Sequence, residues 1–203
     1  MVRQTDTETQ ILEAAKKIFV QKGFAGARMQ EIANEAKINK SMLHYYFRSK
    51  ELLFEKIMTS YIEMTAPNFI NAISGEGTII EKIERLVSTH INTLLKNPHI
   101  PMFILHELSQ GRKNMIVMMK QRLAVNNTLP VFMNQIIKEQ EEGVLKQVLP
   151  HHLMLTVMSL IVFPFIAKPI FQNMLEIPDA FYNQIMEERK EIVMNFLKDA
   201  LLK

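Results

Sequence analysis

Between Met29 and Phe47 two short apolar helical faces follow one another with only Lys37, Ile38 and Asn39 between them. Met29, Ile32, Ala33 and Ala36 recur at helical spacing on the first, and Leu43, Tyr46 and Phe47 on the second, over residues 40–47. A longer helix braces the pair on each side. The one before is expected at about residues 5–22: Thr5 and Glu8 form a capping box, Ile11, Ala14, Ala15, Ile18 and Phe19 make one stripe, and Gly23 stands where a left-handed end is needed. The one after opens at Ser49 as cap and runs through Leu52, Leu53, Ile57 and Tyr61 to the glycines of "SGEG". Two short helices across a three-residue turn, so braced, make a helix-turn-helix.

That motif gives a use to "KINKSMLHYYFRSK", residues 37–50, which carries three aromatic rings and a histidine among four basic residues. In a helix-turn-helix the second short helix enters the major groove of DNA. Leu43, Phe47 and part of Tyr46 are expected to face the core, which leaves Lys40, Ser41, Met42, His44 and Tyr45 outward. Lys40 suits guanine acceptors or a phosphate, Ser41 donates or accepts, and Met42 packs on a thymine methyl. His44 and Tyr45 suit phosphate oxygens, and Lys50 adds charge at the capped start of the next helix. Charge distribution agrees: residues 1–50 hold nine Lys/Arg against five Asp/Glu, and the rest fifteen against sixteen. The positive excess lies wholly in the first quarter, which suggests a polyanion partner there, a solvated basic face being the other reading.

The remainder reads as an all-helical block, with helices at about 76–96, 99–109, 112–142, 150–175 and 178–202. Breaks fall at Pro98, Gly111, Gly143 with Pro150, and Pro178, while Pro130, Pro164 and Pro169 should kink or split the helices that hold them. The fold class is all-α: an N-terminal three-helix DNA-binding domain over residues 1–50 and a larger helical domain over residues 51–203. Residues 153–167 run fifteen positions without a charge. At roughly 22 Å of helix against a hydrocarbon core of about 30 Å they are read as a buried central helix, with no membrane partner. The polar start "MVRQTDTETQ" and the absence of cysteine fit a cytoplasmic protein.

The stretch "FVQKGFAGARMQEIANEAKINKSMLHYYFRSKELLFEKIM", residues 19–58, resembles the signature of the TetR family of bacterial transcriptional regulators. The family pattern is met at Gly23 and Phe24, Ile32 and Ala33, Ala36, Leu43, Tyr46 and Phe47, and Ser49, Lys50 and Glu51. "EEGVLK", residues 141–146, adds a local likeness to the turn between long C-terminal helices. Three departures stand out. Ala27 replaces a common threonine that caps helix 2 and touches phosphate; Lys37 replaces the glycine that opens the turn; and His44 and Tyr45 differ from the usual pair, so the operator is this chain's own. Arg28 and Lys37 are expected to contribute phosphate contacts instead.

The resemblance implies that residues 51–203 bind a small, largely apolar effector and form a homodimer on double-stranded DNA. It also implies a repressor of a palindromic operator; the alternative is the same fold without a small-molecule effector, governed by a protein partner. Twelve of the fifteen methionines lie beyond residue 50, in keeping with an adaptable apolar cavity. Candidate lining residues are Phe69, Phe103, His106, Met119, Leu123, Met158 and Phe165. On the last helix Phe181, Ile185, Ile192 and Phe196 form the expected dimer face, part of a stripe broader than one intrachain contact needs. No enzyme, cofactor or metal is expected: His106 and Glu107 point about 100° apart, and His151 with His152 lacks the three- or four-residue spacing of helical ligand pairs.

Overall fold

A computed structural model describes residues 2–109, 117 and 127–203 of the chain. Among the described residues the elements are helices: α1 Val2–Gly26, α2 Met29–Glu35, α3 Lys40–Tyr46, α4 Lys50–Ile73, α5 Ile79–Lys96, α6 Ile100–Ser109, α7 Thr128–Glu141, α8 Pro150–Leu175 and α9 Asp179–Leu201. The chain divides into two compact units, Met1–Glu63 with Phe103–Met118, and Met64–Met102 with Met119–Lys203. The expected boundary at residue 50 coincides with the first residue of α4, whose leading turns belong to the first unit.

In the first unit α1 packs on α2 and α2 on α3. Ile11, Ala15, Ile32, Ala33, Leu43, Leu53 and Ile57 are buried completely. Each Ile or Leu so removed from water stabilises the unit by about 1.5–3 kcal/mol relative to exposure. Phe19, Phe24 and Phe54 form an aromatic knot, with Phe54 edge-on to Phe19 at 5.2 Å and to Phe24 at 4.9 Å. Helix α1 begins at Val2, so Thr5 lies inside it and is not its cap, because nothing in "VRQ" breaks a helix. Gly23 interrupts it with φ 65 and ψ 175. The φ is positive as expected, yet the pair falls in an extended region that essentially only glycine enters, not the left-handed helical one.

In the second unit α5 is central, packing against α7, α8 and α9. A capping box starts it: Glu81 N donates to Thr78 Oγ1 at 3.3 Å and Thr78 N to Glu81 Oε2 at 2.8 Å. Buried Glu139 of α7 adds a carboxylate there, accepting from Ile79 N at 3.0 and 3.2 Å, where the helix dipole favours an anion. Pro130 sits in the first turn of α7, where no backbone donor is missed.

Helix α8 passes through Pro164 and Pro169 without splitting. Pro164 deprives the Leu160 carbonyl of its helical donor, and Arg189 Nε of α9 donates to that oxygen at 3.0 Å. The expectation that α8 is a buried central helix needs correction: only 33% of its most apolar stretch is buried. Leu153, Val157, Ile161 and Phe165 face inward, while Leu155, Phe163, Ile170, Met174 and Leu175 are exposed.

Candidate nucleic-acid interface

The turn between α2 and α3 is built by backbone hydrogen bonds. Lys37 N donates to Asn34 O and Ile38 N to Ala33 O, both at 3.0 Å, which is a Schellman end with Lys37 at its left-handed position, φ 53. The sequence departure at Lys37 therefore carries the strain it implied, roughly 1–2 kcal/mol. Asn39 then caps α3, its Oδ1 accepting from Met42 N at 2.7 Å. Asn preceding an apolar helical face signals such a cap in the sequence, but the reading of the turn overlooked it. The cap of α2 falls on Arg28, not on Ala27, which is buried. Only the reciprocal half of a capping box is made, Arg28 N donating to Glu31 Oε2 at 3.3 Å, since a guanidinium accepts nothing.

Helix α3 buries Leu43 and, at its end, Phe47. Ser41 and Tyr45, four residues apart, lie about 160° around the helix from Leu43. Tyr45 is 75% exposed and meets Tyr46 edge-on at 5.5 Å; Met42 is 42% exposed. Lys40, Ser41 and His44 are exposed as well, with His44 Nδ1 3.3 Å from Arg48 O. Seven residues give a rod about 10 Å long, a size that the major groove admits.

The charges separate into two sets. On the α1 side Lys16, Lys17 and Lys22 are paired with Glu13, Glu35 and Glu31 at 2.6, 2.6 and 2.8 Å. The Lys22 ammonium holds the Glu31 carboxyl below its usual range. Lys37, Lys40 and Arg48 have no carboxylate partner among the described residues, and all are exposed. Free positive charge thus lies on the turn, the start of α3 and the turn after it, with Arg28 before α2 and Lys56 on α4 exposed as well. Arg48 was not among the residues expected at this face, although it is one of the four basic residues of that stretch. Lys50 behaves differently: its ammonium donates to Phe24 O at 2.8 Å and Ala27 O at 3.0 Å, and lies 4.4 Å from the Phe24 ring centroid. Two of its three donors are engaged inside the unit.

In the second unit Phe69 lies edge-on to His90 of α5, their centroids 5.8 Å apart. His90 Nδ1 is buried with no hydrogen-bond partner among the described residues, an arrangement that costs about 1–3 kcal/mol, and burial lowers its pKa to about 4. Sequence reasoning missed it, for nothing marks one histidine within an apolar helical pattern. Phe165 is buried and Met158 half-buried on α8. Phe103 falls in the first unit, 5.3 Å from Phe54 and 6.1 Å from Tyr61. Met119, Leu123 and the His106 side chain lie outside the described residues.

On α9 the expected dimer residues divide from the core by helical face. Phe181, Ile192 and Phe196 are 51–60% exposed and Ile185 is half-buried, whereas Met186, Val193 and Leu197 point inward. An open pocket of about 260 Å³ lies between α8 and α9, walled by Phe163, Phe171, Leu175, Ile185 and Arg189 among others.

A capped, outward-facing second helix, flanked by cations with no carboxylate partner among the described residues, makes this a helix-turn-helix whose exposed face suits the major groove of DNA. Residues 11–57 match the family model "Bacterial regulatory proteins, tetR family". The chain is 46% identical over 52 residues to the HTH-type transcriptional repressor NicS of Pseudomonas putida, covering 26% of this chain and 24% of that one. It is 25% identical over 195 residues to the probable HTH-type transcriptional regulator YttP of Bacillus subtilis, covering 92% of each. Its match spans about a quarter of the length of NicS and of a further curated relative. Among solved structures, AibR in complex with isovaleryl coenzyme A and operator DNA shares the fold, with TM-score 0.63 at 18% identity over 78% of this chain and 85% of that one.

Proposed function

We propose that the chain acts in the cytoplasm as a homodimeric repressor that binds a palindromic operator and is released by a small, largely apolar effector. The reading head is built on residues 1–50, and effector binding and dimerisation on residues 51–203. The observation that carries DNA reading is the outward face of α3, with Ser41 and Tyr45 at its centre and the unpaired Lys37, Lys40 and Arg48 around it. Arg28 and the remaining donor of Lys50 add phosphate contacts at its margin, and Met42 and His44 complete the reading surface. Dimerisation is supported by the exposed apolar faces of α8 and α9, because a soluble monomer seldom leaves so continuous a patch in water. A second copy on that face accounts equally for a helix apolar enough to cross a membrane. Repression is the activity that the name of NicS carries, and AibR, which shares the fold, was crystallised in complex with isovaleryl coenzyme A and operator DNA, in keeping with a small-molecule effector here.

Release follows from differential affinity. An effector that binds the operator-free state more tightly shifts the population toward it, and one that binds both states equally shifts nothing. Selection of bound fragments from random and genomic duplexes tests the whole reading. The expected product is an inverted repeat whose half-sites lie about one helical turn, or a multiple of it, apart. Recovery of no enriched sequence, or of single unpaired sites only, removes the palindromic dimer.

A further inference from the structure

We propose that His90 Nδ1 and the Phe69 ring anchor the effector in the second unit, and that this effector carries an uncharged hydroxyl on an apolar body. The inference rests on the reading of the chain as an effector-released regulator. Along α5 the inward positions are Ile83, Leu86, Val87, Ile91 and Leu94, all buried and apolar. An apolar residue at 90 would continue that face and leave no polar atom orphaned. The chain instead places an imidazole there, beside an aromatic ring, with Nδ1 buried and, among the described residues, unpartnered.

An orphan ring nitrogen is completed by a group that matches its tautomer, and a hydroxyl matches either one, since it both donates and accepts. The absence of charge follows from the surroundings. Burial keeps the His90 ring neutral near pH 7, so it supplies no counter-charge. The cations in the preceding turns of α5 are engaged with neutral oxygens: Lys82 donates to Gln135 Oε1 at 2.6 Å, and Arg85 to Ala72 O and Glu76 O at 3.2 Å each. Arg85 and Lys82 also stand five and eight positions before His90, about 7.5 and 12 Å back along the helix, so among the described residues of α5 a carboxylate at Nδ1 would find no counter-charge, whereas a phenol or alcohol needs none.

The test uses phenol, anisole and benzoate as matched probes with the full chain labelled at the histidine ring nitrogens. Phenol is expected to shift the His90 Nδ1 resonance and to bind at least tenfold more tightly than anisole or benzoate. His90→Phe, checked for an unchanged helical signal and a single cooperative melting transition, should reduce the phenol-to-anisole ratio to twofold or less, and His90→Asn should restore part of it. Equal binding of phenol and anisole, a preference for benzoate, no response at His90 to any probe, or a preference that survives His90→Phe overturns the proposal. Operator release is measured separately. Phenol seated at His90 with unchanged operator affinity keeps the site and removes its effector role; release by a cell extract that leaves the His90 resonance unmoved keeps the effector and removes the site.

Discussion

Lys37 and Gly143 hold the same position at the ends of α2 and α7, with φ 53 and 77, and only the glycine is at ease there. Lys37→Gly should therefore raise stability by about 0.5–1 kcal/mol, while losing one cation should lower the salt slope of DNA binding by about one. Melting curves and titrations at several salt concentrations separate the two effects. Lys50 belongs to the opposite category. With two carbonyls and the Phe24 face engaged by its ammonium, Lys50→Met should destabilise the first unit by roughly 1–3 kcal/mol, read by amide exchange in α1 and α2. If the salt slope also falls by one, its third donor does reach a phosphate. His90 adds a pH dependence whose sign is fixed by its lowered pKa. Between about 4 and 6.5 the unfolded chain holds a proton that the folded chain refuses. Its stability is complete above about 6.5 and is lost as pH falls toward 4, by up to about 3 kcal/mol. Comparison of urea midpoints at pH 7 and 4.5 should show that His90→Phe flattens this part of the curve.

At the scale of elements, periodicity made most helices legible. Ile and Leu at three- and four-residue spacing located α5, α8 and α9 to within a few residues, and Ser49 was recognised as the start of α4. What escaped the sequence depended on partners distant along the chain. The carbonyls that hold Lys50 come 26 and 23 residues earlier, and the donor that carries α8 past Pro164 comes from Arg189, 29 residues after Leu160. Helix α3 itself was readable because its inward and outward residues differ in kind. That contrast predicts different outcomes for its two sets. Lys40→Ala should weaken binding to all duplexes alike, whereas Ser41→Ala should change sequence preference, by about 1–3 kcal/mol at one base position. Competition among operator variants distinguishes them, and a uniform loss for Ser41→Ala would exclude base reading by that side chain.

At the scale of the whole molecule the proposed operator affinity comes from two heads acting together. A seven-residue reading helix presents few side chains to the groove, so one head alone should bind weakly and discriminate little. Joining two heads through α8 and α9 makes the second contact intramolecular, which typically raises affinity by about 10²–10⁴ without any new contact. Phe196 and Ile192 are both exposed on the single chain, 58% and 60%, while their neighbours Val193 and Leu197 are buried. A Phe196→Glu, Ile192→Glu double substitution should thus leave the protomer folded, with an unchanged helical spectrum, but place charges in the proposed interface. Sedimentation should then show monomers, and binding to a full inverted repeat should fall to the level of a single half-site. A dimer that persists would move the interface away from this face of α9. Monomers that retain full affinity would instead show that each head acts alone, and the spacing between half-sites would lose its meaning for recognition.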